Sequence, residues 1–145
     1  VTIQAPLLEL MKDLNRRLDV ALLIFTHNRG VVARYADRVN VMYAGRIIET
    51  GTADVIYHNP THPSTLARLR SVPRLDQPRA AKLDPVEGQP PDLARLGKDC
   101  PFRPRCRFAT DKCAQERPEL LEVGSGHYSA CWEKDNLTSA GNTVS

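Results

Sequence analysis

The sequence predicts an α/β fold followed by a small, irregular extension stapled by cysteines and a metal. Three observations carry that prediction. Apolar residues recur at helical spacing from Ile3 to Leu18, and an unbroken apolar run, Val20 to Phe25, follows them as a buried strand would. The stretch "RVNVMYAGRIIETG" then reads as two strands around a tight turn at Ala44-Gly45. Finally, three of the 4 cysteines fall within "CPFRPRCRFATDKC", residues 100 to 113, and Cys131 follows in "GHYSACW".

Each element has a local cause. The first helix presents Ile3, Leu7, Leu8, Met11, Leu14 and Leu18 on one side, with Thr2 placed to cap it and Pro6 near the first turn. "VALLIFT" is apolar on both faces, as a central strand is. "NRGVVARYAD" predicts a short helix entered through a glycine, and the two-strand segment follows it. "TADVIYHNP" predicts a short helix stopped by Pro60, and "PSTLARLRSV" one opened by Pro63 and closed before Pro73. These elements make up a folded portion, residues 1 to 72. Residues 73 to 98 hold five of the 11 prolines and no aromatic side chain, which predicts an extended linker or strap. Residues 99 to 132 carry few apolar groups: Phe102, Phe108, Leu120, Leu121, Val123, Tyr128 and Trp132. So small a core does not hold a segment closed unaided, and a metal is the usual staple. Residues 133 to 145 read as a disordered tail.

Composition excludes several function classes. Over 145 residues, 20 Lys and Arg balance 17 Asp and Glu, and the two signs are interspersed. This predicts no nucleic-acid partner, because the concentrated basic face of such a binder is missing. The longest apolar run is far too short to cross a bilayer. The N-terminal residues show neither a basic leader nor an uninterrupted apolar core, so the reading is of a cytosolic chain with reduced thiols. Beginning at Val1 rather than Met, the chain is expected to lack the start of its gene product.

In a reducing compartment, clustered cysteines bind metal or do redox chemistry. The spacing C-x5-C-x6-C-x17-C matches neither a zinc ribbon nor a ferredoxin run, and leaves zinc and iron–sulfur open. Four thiolates without a nearby carboxylate or paired histidine favour a soft metal. Arg103, Arg105, Arg107 and Lys112 lie between the first three cysteines and are placed to offset an anionic cluster. His127 is a spare candidate ligand, and Asp99, Pro101 and Pro104 stiffen the loop. His27 stands where the apolar run ends, just before a glycine-led helix, a position where functional residues of open α/β sheets collect.

Together these motifs carry a resemblance. "LLIFTHNRGVVARYADRVNVMYAGRIIETG" resembles the end of an ABC-transporter nucleotide-binding domain. "HNPTHPSTLARLRSVPRLD", "EGQPPDLARL" and the cysteine segment resemble the C-terminal region of the dipeptide/oligopeptide importer ATPases. The likeness runs from Val1 to about Trp132. It implies part of a P-loop NTPase (ABC ATPase) sheet over residues 1 to 72 and a four-cysteine extension over residues 99 to 132. It implies that His27 is the switch histidine, which touches the γ-phosphate or the attacking water. It further implies that Cys100, Cys106, Cys113 and Cys131 hold a [4Fe-4S] cluster, with zinc as the alternative. Full-length members use ATP and magnesium, pair with a second ATP-binding subunit, and sit against membrane permease subunits on the cytoplasmic face. The chain contains no G-x-x-x-x-G-K-[ST] motif, so the expectation is a C-terminal piece that does not hydrolyse ATP alone. Asn28 stands where the family has aspartate, Arg29 where it has an aliphatic residue, Ser64 where it has tyrosine and Arg68 where it has leucine. A stand-alone metal-binding regulatory module and an inactive remnant are the other readings.

Overall fold

The structure, a computed structural model, describes residues 4–71 and 88–141. The chain divides into two compact units, residues 1–37 and 38–145.

The first unit consists of helices α1 (Gln4–Leu18) and α2 (Arg29–Tyr35) and the segment between them. Asp19, in the left-handed region at φ 50°, ends α1. Asn28 caps α2: its side-chain oxygen accepts from the N–H groups of Gly30 and Val31. The amide that replaces the family's aspartate therefore keeps the capping hydrogen bonds. The Glu9 carboxylate clips the two helices together by accepting from Arg34 Nη2 at 3.2 Å and the Tyr35 hydroxyl at 3.0 Å.

Val20 to Phe25 does not form the expected strand. A strand apolar on both faces needs hydrogen-bonded neighbours on its edges and cover on its faces, and the described residues of this unit supply neither. The run is left exposed, Leu23 at 72% and Phe25 at 81%, beside Leu10 and Leu18 of α1. So much apolar surface predicts self-association of the isolated chain. Size-exclusion chromatography with light scattering should show species larger than a monomer at micromolar concentration, and a monodisperse monomer would contradict this. The expected cap Thr2 lies outside the described residues.

The second unit is built on a four-stranded antiparallel sheet: β1 (Arg38–Tyr43), β2 (Arg46–Thr52), β3 (Leu121–Gly124) and β4 (His127–Ser129), in the order β1-β2-β4-β3. Ala44 (φ 49°) and Gly45 (φ 75°) turn β1 into β2, where two left-handed residues match the twist of a two-residue hairpin. Helices α3 (Ala53–His58) and α4 (Pro63–Arg70) follow, capped by the side chains of Thr52 and His62. Arg68 of α4 donates to the Met42 carbonyl of β1, so a hydrogen bond serves where the family's leucine would pack.

The extension is more regular than the sequence reading expects. Its β3–β4 hairpin extends the sheet by pairing Glu49 with Ser129 and Thr50 with Tyr128. Phe102 inserts into the core beside Tyr43 and Ile48 and meets the Tyr43 ring edge-on at 5.2 Å. The extension is thus anchored by main-chain pairing and by one aromatic side chain, not by cysteines alone. Leu120 and Leu121, expected in its core, are exposed. Helix α5 (Asp111–Gln115) carries Cys113. The expected disordered tail contains helix α6 (Lys134–Gly141), and Leu137 is 1% exposed. Burial of that single apolar anchor orders a polar segment. Of the expected linker, residues 73–87 lie outside the described residues, and 88–98 hold one short 3-10 turn, Leu93–Arg95.

Among the described residues no helix is long and apolar enough to cross a membrane. The buried Tyr43 hydroxyl has no hydrogen-bond partner there. Deleting an unsatisfied hydroxyl removes a desolvation cost, so Tyr43→Phe is expected to leave stability unchanged or raise it by up to about 1 kcal/mol in urea denaturation.

Candidate functional site

The four cysteines come from four different local structures. Cys100 precedes the turn "PFRP", Cys106 ends the 3-10 turn Arg103–Arg105, Cys113 lies in α5, and Cys131 follows β4. All four line one cavity, together with His62, Trp132 and other neighbours. The Cys100 N–H donates to the Cys113 carbonyl at 2.9 Å, which ties the first and third cysteines through the main chain. None of the four is in a disulfide. Among the described residues, no three His, Cys, Asp or Glu side chains stand as a ready-made site for a single metal ion.

Cys100, Cys106 and Cys131 are not tuned as nucleophiles. Burial first, and the repulsion of neighbouring thiolates second, push Cys106 up to about 11 and Cys131 up to about 12, and Cys100 is raised for the same reasons. Backbone N–H groups at Phe102, Phe108 and Glu133 oppose these shifts without reversing them. A catalytic or redox-exchanging cysteine needs a lowered value, so the arrangement argues against thiol chemistry. A soft cation among the four sulfurs would reverse the balance by stabilising thiolates. The donor set at the cavity is four free cysteines.

The cations between the cysteines are partly committed elsewhere. Arg103 reaches the cavity wall, but its guanidinium pairs with Asp99 at 3.1 Å. Lys112 lies over the Trp132 ring at 3.7 Å, and the Trp132 indole N–H donates to the Glu116 carbonyl. Asp99 thus holds Arg103, in keeping with its expected structural role. Thr110, not singled out in the sequence, sits 3.5 Å from the Cys113 sulfur and donates to Glu133.

Neither neighbouring histidine is free to act as a ligand. His62 lines the cavity, yet its Nδ1 accepts the Ser64 N–H at 3.0 Å and its other ring nitrogen is bound to the Ala130 backbone. Its value falls to about 3, through burial first and the charge of Arg68 second, so the ring is neutral. His127, the spare candidate, is turned away into a buried network. Its Nε2 donates to the Glu49 carboxylate at 2.8 Å, and Glu49 also accepts from the N–H groups of Thr61 (2.7 Å) and His62 (3.2 Å). The sequence reading passed over Glu49. Its signal was a charged residue in the apolar strand "RIIETG", where a carboxylate survives burial only with several donors.

In the first unit, His27 occupies an exposed bend just before the Asn28 cap. The Asn28 N–H donates to Thr26 Oγ1 at 3.0 Å, which fixes the backbone on either side of His27.

Comparison with known proteins gives these features a context. Residues 48–113 match the family model described as the oligopeptide/dipeptide transporter, C-terminal region. The chain is 44% identical over 140 residues to the oligopeptide transport ATP-binding protein OppD of Haemophilus influenzae, covering 94% of this chain and 43% of that one. It is 43% identical over 138 residues to OppD of Mycobacterium bovis, covering 95% and 22%. The corresponding figures for OppD of Bacillus subtilis are 44% over 132 residues, 91% and 37%. The chain therefore spans less than half the length of each of these relatives.

Proposed function

We propose, on the match of residues 48–113 to the oligopeptide/dipeptide transporter C-terminal region, that the chain is the C-terminal piece of the ATP-hydrolysing, energy-coupling subunit of a peptide ABC importer. The observation that carries this reading is the identity to ATP-binding subunits across nearly the whole chain. In it, residues 1–72 complete a nucleotide-binding domain whose P-loop and magnesium-ordering residues come from elsewhere. His27 is the switch histidine. Its imidazole, in an exposed bend, donates to a γ-phosphate oxygen or orients the attacking water, and the Asn28 cap holds it at the head of α2. The partners are membrane permease subunits and a second ATP-binding subunit, at the cytoplasmic face of the cell membrane.

Cys100, Cys106, Cys113 and Cys131 hold a [4Fe-4S] cluster, with zinc as the alternative occupant. Such a group supplies four metal–sulfur bonds that close the extension and, for the iron cluster, a one-electron redox centre. The chain's own residues keep water and rival ligands away: Phe102 and Trp132 wall the cavity, and His62 stays neutral and committed. A second reading, a metal-binding module acting by itself, is favoured by one observation: the family match begins at residue 48 and takes in no part of the His27 unit.

Phosphate positioning and magnesium carry most of phosphoryl-transfer catalysis. The chain alone is therefore expected to hydrolyse ATP no faster than its His27→Ala variant. In a longer chain that supplies the P-loop, His27→Ala is expected to cut kcat by roughly a hundredfold while changing ATP affinity by less than about threefold. Equal losses in both would assign His27 to ground-state binding and remove the switch role.

A further inference from the structure

Glu49 is fully buried, 0% exposed, and lies on the central strand β2. Its carboxylate accepts hydrogen bonds from two directions. On one side are the N–H groups of Thr61 and His62, in the loop leading into α4. On the other is the His127 imidazole of β4. The Thr61 hydroxyl bridges the two, 3.0 Å from Glu49 and 3.2 Å from His127. Ser129 closes the ring by donating to the Thr61 carbonyl.

Both sides lead to residues that line the cysteine cavity. The loop continues into His62 and Pro63, which line it. Strand β4 continues through Ala130 into Cys131, and the Ala130 N–H is tied to the Ile48 carbonyl beside Glu49. The loop and β4 also meet directly, through Ser129 and the Thr61 carbonyl, the Thr61 hydroxyl and His127, and the His62 ring and the Ala130 backbone; Glu49 adds the tie of both segments to β2. We propose that Glu49 is the positioning residue of the cysteine site: by holding the Thr61–His62 loop and β4 together, it sets Cys131 against the other three sulfurs. This rests on the metal reading given above, and by linkage the occupied site would in turn stabilise the sheet.

The test uses the full chain with Glu49→Ala and Glu49→Gln, and with Ile56→Ala as a control for lost core packing, since Ile56 is a buried α3 residue that packs by Gly51 of β2 without lining the cavity. Two quantities are measured at a temperature where circular dichroism shows each variant folded. One is the maleimide labelling rate of each cysteine in the metal-free chain, read by peptide mass spectrometry. The other is the rate of iron loss to a ferrous chelator after anaerobic reconstitution with iron and sulfide. Glu49→Ala is expected to speed Cys131 labelling and iron loss by roughly tenfold or more, in the range found for residues that orient metal ligands. Glu49→Gln should fall between it and the wild type, because one amide oxygen still accepts the Thr61 N–H. Ile56→Ala should leave both rates near wild type.

Wild-type labelling and iron loss in folded Glu49→Ala would overturn the proposal, as would an Ile56→Ala effect of the same size. If Glu49→Ala does not fold, Glu49→Gln decides by the same measurements, and wild-type rates in it overturn the proposal. If the wild-type chain takes up neither iron nor zinc, the metal reading fails by itself, and the Cys131 labelling rates still judge Glu49.

Discussion

Replacing any one of Cys100, Cys106, Cys113 or Cys131 with serine is expected to abolish stable metal loading and to open residues 99 to 132 to protease. The size of the effect follows from what otherwise holds the segment. Of its larger apolar side chains only Phe102 is buried, while Leu120 and Leu121 face solvent. The three-residue strand β4 gives it two residue pairs with β2. Against that, a structural metal bound by thiolates contributes on the order of 10 kcal/mol, and loss of one ligand removes much of it. Anaerobic isolation or reconstitution should give a brown protein with about four irons per chain and broad absorption, as a four-thiolate [4Fe-4S] site requires. Each serine variant should lose that colour and be cut within the extension under limited proteolysis. One zinc and no iron would replace the cluster by a zinc site with the same ligands. Serine variants that keep full metal content would end the four-ligand assignment.

The second large effect is acid lability carried by His62. Folded, this imidazole takes up a proton only near pH 3, while in the unfolded chain it does so near its ordinary 6.5. The unfolded state therefore binds more protons between those values. Stability is fully present above pH 6.5 and falls as pH drops toward 3. Each pH unit inside the window costs about 1.4 kcal/mol, so the loss is about 2 kcal/mol by pH 5. Two features make the proton costly: the ring is packed beside Phe102, with centroids 5.9 Å apart, and Nδ1 must stay bare to accept the Ser64 N–H that caps α4. His62→Asn keeps an acceptor at the cap and removes the titrating group. It should be less stable than wild type at pH 7.5, but with a visibly flatter stability profile between pH 6.5 and 4.5 in urea titrations. An unchanged slope would place the acid lability on other groups.

The elements legible in the sequence were those whose signals are local. Pro63 marks a helix start by its own chemistry, and Ala44-Gly45 announces a hairpin because two left-handed residues are needed there. Val20 to Phe25 misled because an apolar run reports what a segment would bury and not whether neighbours are at hand to bury it. The β3–β4 hairpin was passed over because its strands are short and its partner, β2, lies some 80 residues earlier. The spacing of the four cysteines suggested one site; all four line one cavity, though no three of them stand as a ready-made metal site among the described residues. The Glu49 network was not, because a hydrogen-bonded ring joining residues 49, 61, 62, 127 and 129 has no spacing rule.

The strand order β1-β2-β4-β3 has a consequence for biosynthesis. The β1–β2 hairpin can close once residue 52 has left the ribosome, but the other edge of β2 is paired by residues 128 and 129. At a synthesis rate of roughly 5–20 residues per second, that edge waits about 4–15 s for its partner. During the interval it offers unpaired main-chain groups to any other nascent chain, which is how edge strands seed aggregation. A ribosome stalled before residue 128 would hold the hairpin in that state, so the timing of translation, as well as the finished contacts, bears on the yield of folded protein.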